Sequence, residues 1–223
     1  MKSIIRAAAL VAALSMLAGC MFARSTVDLS QGPAAAPAVA QPSEGPVVKI
    51  VSVDDQRVFA VAPQTPDIPS LKDNNITDKA ITARAIGRKR SGWGGAVGDV
   101  LLPEGDSVSA HIATALTNGF RQAGYRVLSS GDAGYDQATP VKAVIKQYWS
   151  WLEVGFVVEL DCRAEIQLDS PLPALAPSKT VLSQVAHKKG LVLEAEWMEI
   201  SNQGLQALSV KLAEMLKVNS AGS

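Results

Sequence analysis

The 223-residue chain has only two cysteines and two histidines. That is too few for a structural zinc centre, which needs about four such ligands close together. Aromatic residues make up 5% of the chain, so the core has to be built mostly from Val, Leu, Ile and Ala. Neither sign of charge dominates: 21 Lys+Arg stand against 21 Asp+Glu. That neutral balance argues against an electrostatic nucleic-acid binder, which shows a strong basic excess. Three motifs are missing as well: the Gly-x-Ser-x-Gly elbow, the His-Glu-x-x-His pair and the Gly-Lys-Ser/Thr phosphate loop. These absences set the expectation of a non-enzymatic protein with no catalytic residues, no metal, no cofactor and no nucleic-acid partner.

The N-terminus is distinctive. Lys2 and Arg6 give a positive start, and Ala7 to Ala18 is apolar except for Ser15. A dozen apolar residues are too few to span a bilayer, which takes about 20, but with a basic flank they read as a secretory signal. The run ends in Leu17-Ala18-Gly19-Cys20, where small residues let a peptidase approach the backbone just before a cysteine. This order resembles the lipobox of bacterial lipoproteins. The resemblance implies removal of residues 1–19 and a mature N-terminal Cys20 carrying two or three fatty-acyl chains, enough for lasting membrane attachment. Met21 stands where Asp, in the enterobacterial version of the family, favours the inner membrane, so an outer-membrane, periplasm-facing location is expected. Losing Lys2 and Arg6 leaves 21 − 2 = 19 basic against 21 acidic residues, a net charge of −2.

Residues 20–46 are Pro- and Ala-rich and contain few large apolar side chains. They are expected to be a disordered tether that extends to about 80 Å at roughly 3.1 Å per residue. Residues 47–218 are the expected globular domain, and 219–223 a disordered tail.

Periodicity supplies the elements of that domain. Val47 to Val53 reads as a strand ending at Asp54-Asp55-Gln56-Arg57, and strands are expected near Ile81 to Ile86, Val97 to Leu102 and Tyr125 to Leu128. Val108, Ile112, Leu116 and Phe120 recur every four residues after Asp106 or Ser107, a capped amphipathic helix that Gly124 closes. Residues 156–168 alternate: Phe156, Val158, Leu160, Cys162, Ala164, Ile166 and Leu168 on one face, mostly polar residues on the other. Val141 to Trp151 and Lys179 to Lys189 are its expected neighbours. A second helix carries Leu205, Leu208, Leu212, Met215 and Leu216 from near Ser201 or Asn202. Together these give an α+β fold, one mostly antiparallel sheet with two amphipathic helices packed on one face, after a signal peptide and disordered tether.

The lipobox, the strand ending in Asp55-Gln56-Arg57 and the helix closing in Gly124-Tyr125-Arg126-Val127 together resemble the YajG-type bacterial lipoproteins. The resemblance covers most of residues 47–218. It implies an envelope lipoprotein without an established activity. The longer Pro-rich tether and the Gly-rich, basic insert at residues 84–98 depart from that pattern.

Few residues suggest chemistry. His111 borders the apolar stripe of its helix, and His187 precedes Lys188-Lys189; both read as partly buried or solvated. Glu194 and Glu196 share a face if extended, and read as a polar strand face. Cys162, in phase with the apolar face, reads as a buried free thiol. Tyr148, Trp149 and Trp151 read as sheet packing, with Trp149 and Trp151 on one face. Arg84, Arg88, Lys89, Arg90 and Trp93 form the candidate site for an anionic ligand or a partner; a solvated basic loop is the competing reading. The expected role is binding or assembly at the envelope, with an envelope protein or a second copy as partner. The alternative is an accessory lipoprotein of a transport system for lipid or other apolar cargo, which needs an apolar cavity between helices and sheet.

Overall fold

The computed structural model describes residues 24–31, 38–91, 93–155, 157–190 and 192–220. The signal segment, Cys20 and Phe156 lie outside the described residues.

Among the described residues, eight strands form one sheet: β1 Ser25–Thr26, β2 Val47–Asp55, β3 Ala85–Arg90, β4 Ala96–Leu101, β5 Arg126–Val127, β6 Thr139–Val154, β7 Val158–Asp169 and β8 Lys179–Lys189. Helices are α1 Lys79–Thr82, α2 Val108–Gln122 and α3 Glu194–Ser220, with a 3-10 turn at Lys72–Thr77. The fold is α+β, with α2 and α3 packed on one face of the sheet. It differs from the expected architecture in strand direction. β6–β7, β7–β8 and β3–β4 are antiparallel, but β2 and β3 both lie parallel to β6, as do β1 to β4 and β2 to β5. The sheet is mixed because β6, sixteen residues long, outruns its neighbours. One edge is filled by β7 over residues 142–154; the other is shared by β2 over residues 139–145 and β3 over residues 150–151.

A bulge between Ile145 and Gln147 splits the phase of β6. Val141, Ala143 and Ile145 face the helices before it, and Tyr148 and Leu152 do so after it. Trp149 and Trp151 are thereby turned to the opposite face, where they pack with Leu71, Ala85 and Leu101.

α2 begins where Ser107 accepts the Ala110 N–H at 3.2 Å, satisfying one of the free N–H groups of the first turn. It ends at Gly124, whose φ of +89° is a left-handed conformation that suits glycine. Ile112, Leu116 and Phe120 are fully buried against β2 and α3. On β7, Leu160, Cys162, Ala164, Ile166 and Leu168 face the helices as the alternation requires. α3 starts at Glu194, seven residues before the expected Ser201, because Trp197 and Ile200 extend the stripe of Leu205, Leu208 and Leu212 toward the N-terminus.

Part of the expected tether belongs to the body. β1 pairs with β4, Val27 and Leu29 are buried, and Arg24 bridges to Asp99 at 2.9 Å. Further along, the Val39 N–H donates to Asn118 Oδ1, and Arg121 donates to the Val39 carbonyl and to Gln41 Oε1. The apolar pair Val27 and Leu29 is too short to show a period, yet long enough to seal the end of the helix–sheet core.

Candidate functional site

The five residues of the candidate basic site do not form one surface. Period-two alternation in β3 sends successive side chains to opposite faces. Lys89, nearly buried, turns to the helix side and meets Glu194 at 3.0 Å. Arg88 turns to the other side, 4.0 Å from Asp99, with its Nε buried and without a hydrogen-bond partner. Arg84 donates to the Ala80 and Leu102 carbonyls, and Arg90 to the Gly94 carbonyl at 3.0 Å. Only Trp93 is open, 99% exposed in the β3–β4 turn. The insert is therefore a hairpin whose cations are mostly committed to the protein, and Trp93 is its free element. The lysine–glutamate contact holds the Glu194 carboxyl below its usual range, chiefly through the hydrogen bond.

Two buried ionic centres escaped sequence reading. β2 leaves β6 at Asp55 before β3 joins it, and that gap would strand backbone carbonyls of the sheet. Arg57 fills it. Its guanidinium donates to the Ala85, Tyr148 and Thr82 carbonyls at 2.6–3.0 Å and grips Asp55 through two nitrogens at 2.8 and 2.9 Å. The planar five-donor fork of arginine suits this task, which an ammonium cannot match. Asp99, 1% exposed, accepts from Arg24 and from the Lys72 N–H. One carboxylate thus joins β1, β4 and the start of the 3-10 turn. The sequence signal for Asp99 is a lone acid inside the apolar run Ala96 to Leu102.

Other polar groups near α2 are held by structural partners, although Asn202 Nδ2 is buried without one. His111 Nε2 lies 2.7 Å from Asp106 Oδ2 at the start of α2. Nearby, Ser30 Oγ is held by Asp28 at 2.6 Å and Thr114 Oγ1 by the Ala110 carbonyl. A small recess of about 290 Å³ here is lined by His111, Thr114, Asn118 and Asn202. Glu196 accepts from the Leu193 N–H at the start of α3, a helical cap rather than the strand face expected. Cys162 is fully buried, and burial pushes its thiol up to about 12. That makes it an inert core group.

Between sheet and helices, the described residues fill the space with side chains such as Ile112, Leu116, Phe120, Ile166, Leu208 and Leu212, all at 0% exposure. The larger openings lie at the sheet margins. β5 pairs with β2 only at Val47 and Val48, so β2 has no strand partner on its outer side beyond that point among the described residues. Next to this edge runs an open groove of about 490 Å³, between β2 (Val51, Ser52, Val53) and α2 (Ala113, Thr117, Arg121). Val51 is 48% exposed there. An unpaired strand beside a helix offers backbone donors and acceptors for an added strand.

These features define an α+β protein built on a mixed sheet, with an open edge beside its first long helix. No family model matches the chain, and no curated protein matches it. Solved structures similar to it include two at low identity. One is described as an uncharacterized protein, 11% identical over 75% of this chain and 97% of its own, with a TM-score of 0.40. The other is a protein from Xanthomonas campestris labelled with the family model DUF330, 10% identical over 90% of this chain and 97% of its own, with a TM-score of 0.44.

Proposed function

We propose that this chain is a lipid-anchored, periplasm-facing bacterial envelope lipoprotein of the YajG type, with a non-enzymatic binding role at the outer membrane. The observation that carries the reading is the sequence of signals at the N-terminus: a basic start, an apolar run and Leu17-Ala18-Gly19-Cys20, followed four residues later by Arg24 of the folded body. Two acyl chains on Cys20 supply the membrane attachment. The open edge of β2 and its groove supply the binding surface, and the fitting partner is an extended segment of another envelope protein that adds a strand there. The filled helix–sheet interface gives the cargo-carrying alternative no support.

Two variants test the reading. Cys20→Ala is expected to move the protein from the membrane to the soluble fraction, and unchanged membrane retention overturns the anchor. Val51→Lys puts a charge on the strand edge. With a photo-crosslinker at Ser52 in intact envelopes, it is expected to abolish a discrete adduct seen with the parent chain. An unchanged adduct removes the β2 edge from the binding role.

A further inference from the structure

We infer that one end of the sheet rests on the bilayer, with Trp93 as its inserted side chain. The inference rests on the lipid anchor proposed above and says how the body sits once anchored.

Strand directions assemble this end. β3 runs toward the β3–β4 turn, and β6 is parallel to β3, so the β6–β7 turn lies at the same end. β8 is antiparallel to β7 and finishes there, with Val158 paired to Lys189, and α3 begins there. Four of the exposed large apolar side chains lie on these connections: Trp93, Val154, Val157 and Leu193, at 99, 40, 52 and 47% exposure. They come from three connections, the β3–β4 turn, the β6–β7 turn and the β8–α3 link, and water gains nothing from their convergence.

The chain's entry selects the occupant. β1 is parallel to β4, and β4 starts at this end, so the N-terminal end of β1 is directed toward the side of the two turns. Ser25 is level with Val100, Val100 with Gly87 and Gly87 with Ser150. From Ser150 to the last residue of β6, Val154, is four steps, or about 13 Å at roughly 3.3 Å per residue. Cys20 is five steps before Ser25, a reach of at most about 17 Å. The acylated cysteine can therefore stand no more than about 17 Å from Ser25, a reach that spans the distance to this end of the sheet and is far shorter than the expected leash. Trp favours the headgroup level of a bilayer, where an apolar ring and its N–H are both satisfied.

Charge adds little to the contact. Lys89 and Lys189 are paired with Glu194 and Glu199, which leaves Arg90, bonded to the Gly94 carbonyl, and Lys188, whose cross-strand neighbour is Glu159. The contact is apolar and interfacial, not a basic patch on anionic lipid.

The chain contains four tryptophans. Trp149, Trp151 and Trp197 are at most 2% exposed, so Trp93 reports the surface by itself. The test uses full-length acylated protein in zwitterionic phosphatidylcholine vesicles carrying brominated acyl chains. Acylation is read separately by intact mass. The expected result is loss of the solvent-exposed component of the tryptophan emission in brominated against plain vesicles, at low and high salt alike. Trp93→Phe removes that loss, and W93F/S130W, with its probe at the opposite end of the sheet, does not restore it. Acylated protein whose Trp93 emission is unquenched overturns the orientation and leaves the anchor standing. Unmodified Cys20 overturns the anchor, and the orientation with it. Quenching that needs anionic lipid and disappears in high salt overturns the apolar contact in favour of Arg90 and Lys188.

Discussion

The helix face and the loop face of the sheet are closed by different physics. Under α2 and α3, regular elements set long apolar side chains against one another, from Ile112, Leu116 and Phe120 to Leu160, Ile166 and Leu208. The opposite face has a small cluster of Leu71, Ala85, Leu101, Trp149 and Trp151. It is covered by the loop region of residues 56–78, where Phe59 meets Trp149 edge-on at 5.9 Å and the Trp149 N–H reaches the Pro66 carbonyl. What fixes that loop is polar: Arg57 across the gap in the sheet, and Asp99 holding Arg24 and the Lys72 N–H. The helix face gains from area; the loop face depends on a few directed contacts whose loss leaves buried groups unpaired.

The comparison breaks most sharply at Arg57. Arg57→Ala leaves three carbonyls without their donor and Asp55 with only the backbone N–H of residue 57, and removing one partner of a buried ionic network costs about 3–5 kcal/mol. In urea titrations, the emission of Trp149 and Trp151 should change before helical circular dichroism is lost. A single coincident transition would mean that the loop face is not a separately held layer.

On the helix face, Leu116→Ala is expected to cost about 3 kcal/mol, within the usual range for buried leucine. Here all probes should shift together, since α2 and α3 share one core.

A third variant tests close packing inside that face. A Cβ on Gly204 would stand 2.6 Å from Cys162 Sγ. Gly204→Ala is therefore expected to cost about 2 kcal/mol through overpacking. Adding Cys162→Ala should return part of that loss, the coupling expected of touching residues. Strictly additive losses in the double variant would show that α3 and β7 do not meet there.

The smallest effect is in pH. The Cys162 thiol has an ordinary value of 9.0 and is pushed by burial to about 12. Tyr148, also fully buried, is raised by burial in the same direction. Folded protein keeps these protons while the unfolded chain releases them, so their contribution is complete below about pH 9 and fades as pH rises toward 12. The urea midpoint should fall between pH 9 and pH 10.5, and fall less in Cys162→Ala. An equal fall in both proteins would remove Cys162 from the pH response.

The same contrast explains what the sequence revealed. Four-residue spacing of Val108 to Phe120, alternation through β7, the Ser107 cap, the Gly124 stop and the buried Cys162 are local signals, and each was legible. The bulge at Ile145 and the parallel pairing of β2 and β3 with β6 depend on segments as much as 90 residues apart. Local spacing carries no trace of them. Alternation within β3 also divided Arg88 from Lys89, so a run of cations that looks like one patch in sequence became two separate ion pairs. The N-terminal segment hid its role for another reason: Val27, Leu29 and Arg24 act singly against β4 and Asp99, and three isolated contacts make no period. Trp93 was legible as part of the candidate site, but its setting at the shared end of the turns was not.

The central claim is that Cys20 carries the lipid that fixes this protein at the membrane. The most direct measurement is the intact mass of the mature N-terminus, taken from protein isolated from membranes of a lipoprotein-processing host. The account predicts a chain beginning at Cys20, with the mass of a diacylglycerol thioether and, in hosts that add it, one further amide-linked acyl chain. A chain that retains residues 1–19, or begins elsewhere, or carries an unmodified Cys20 would contradict it.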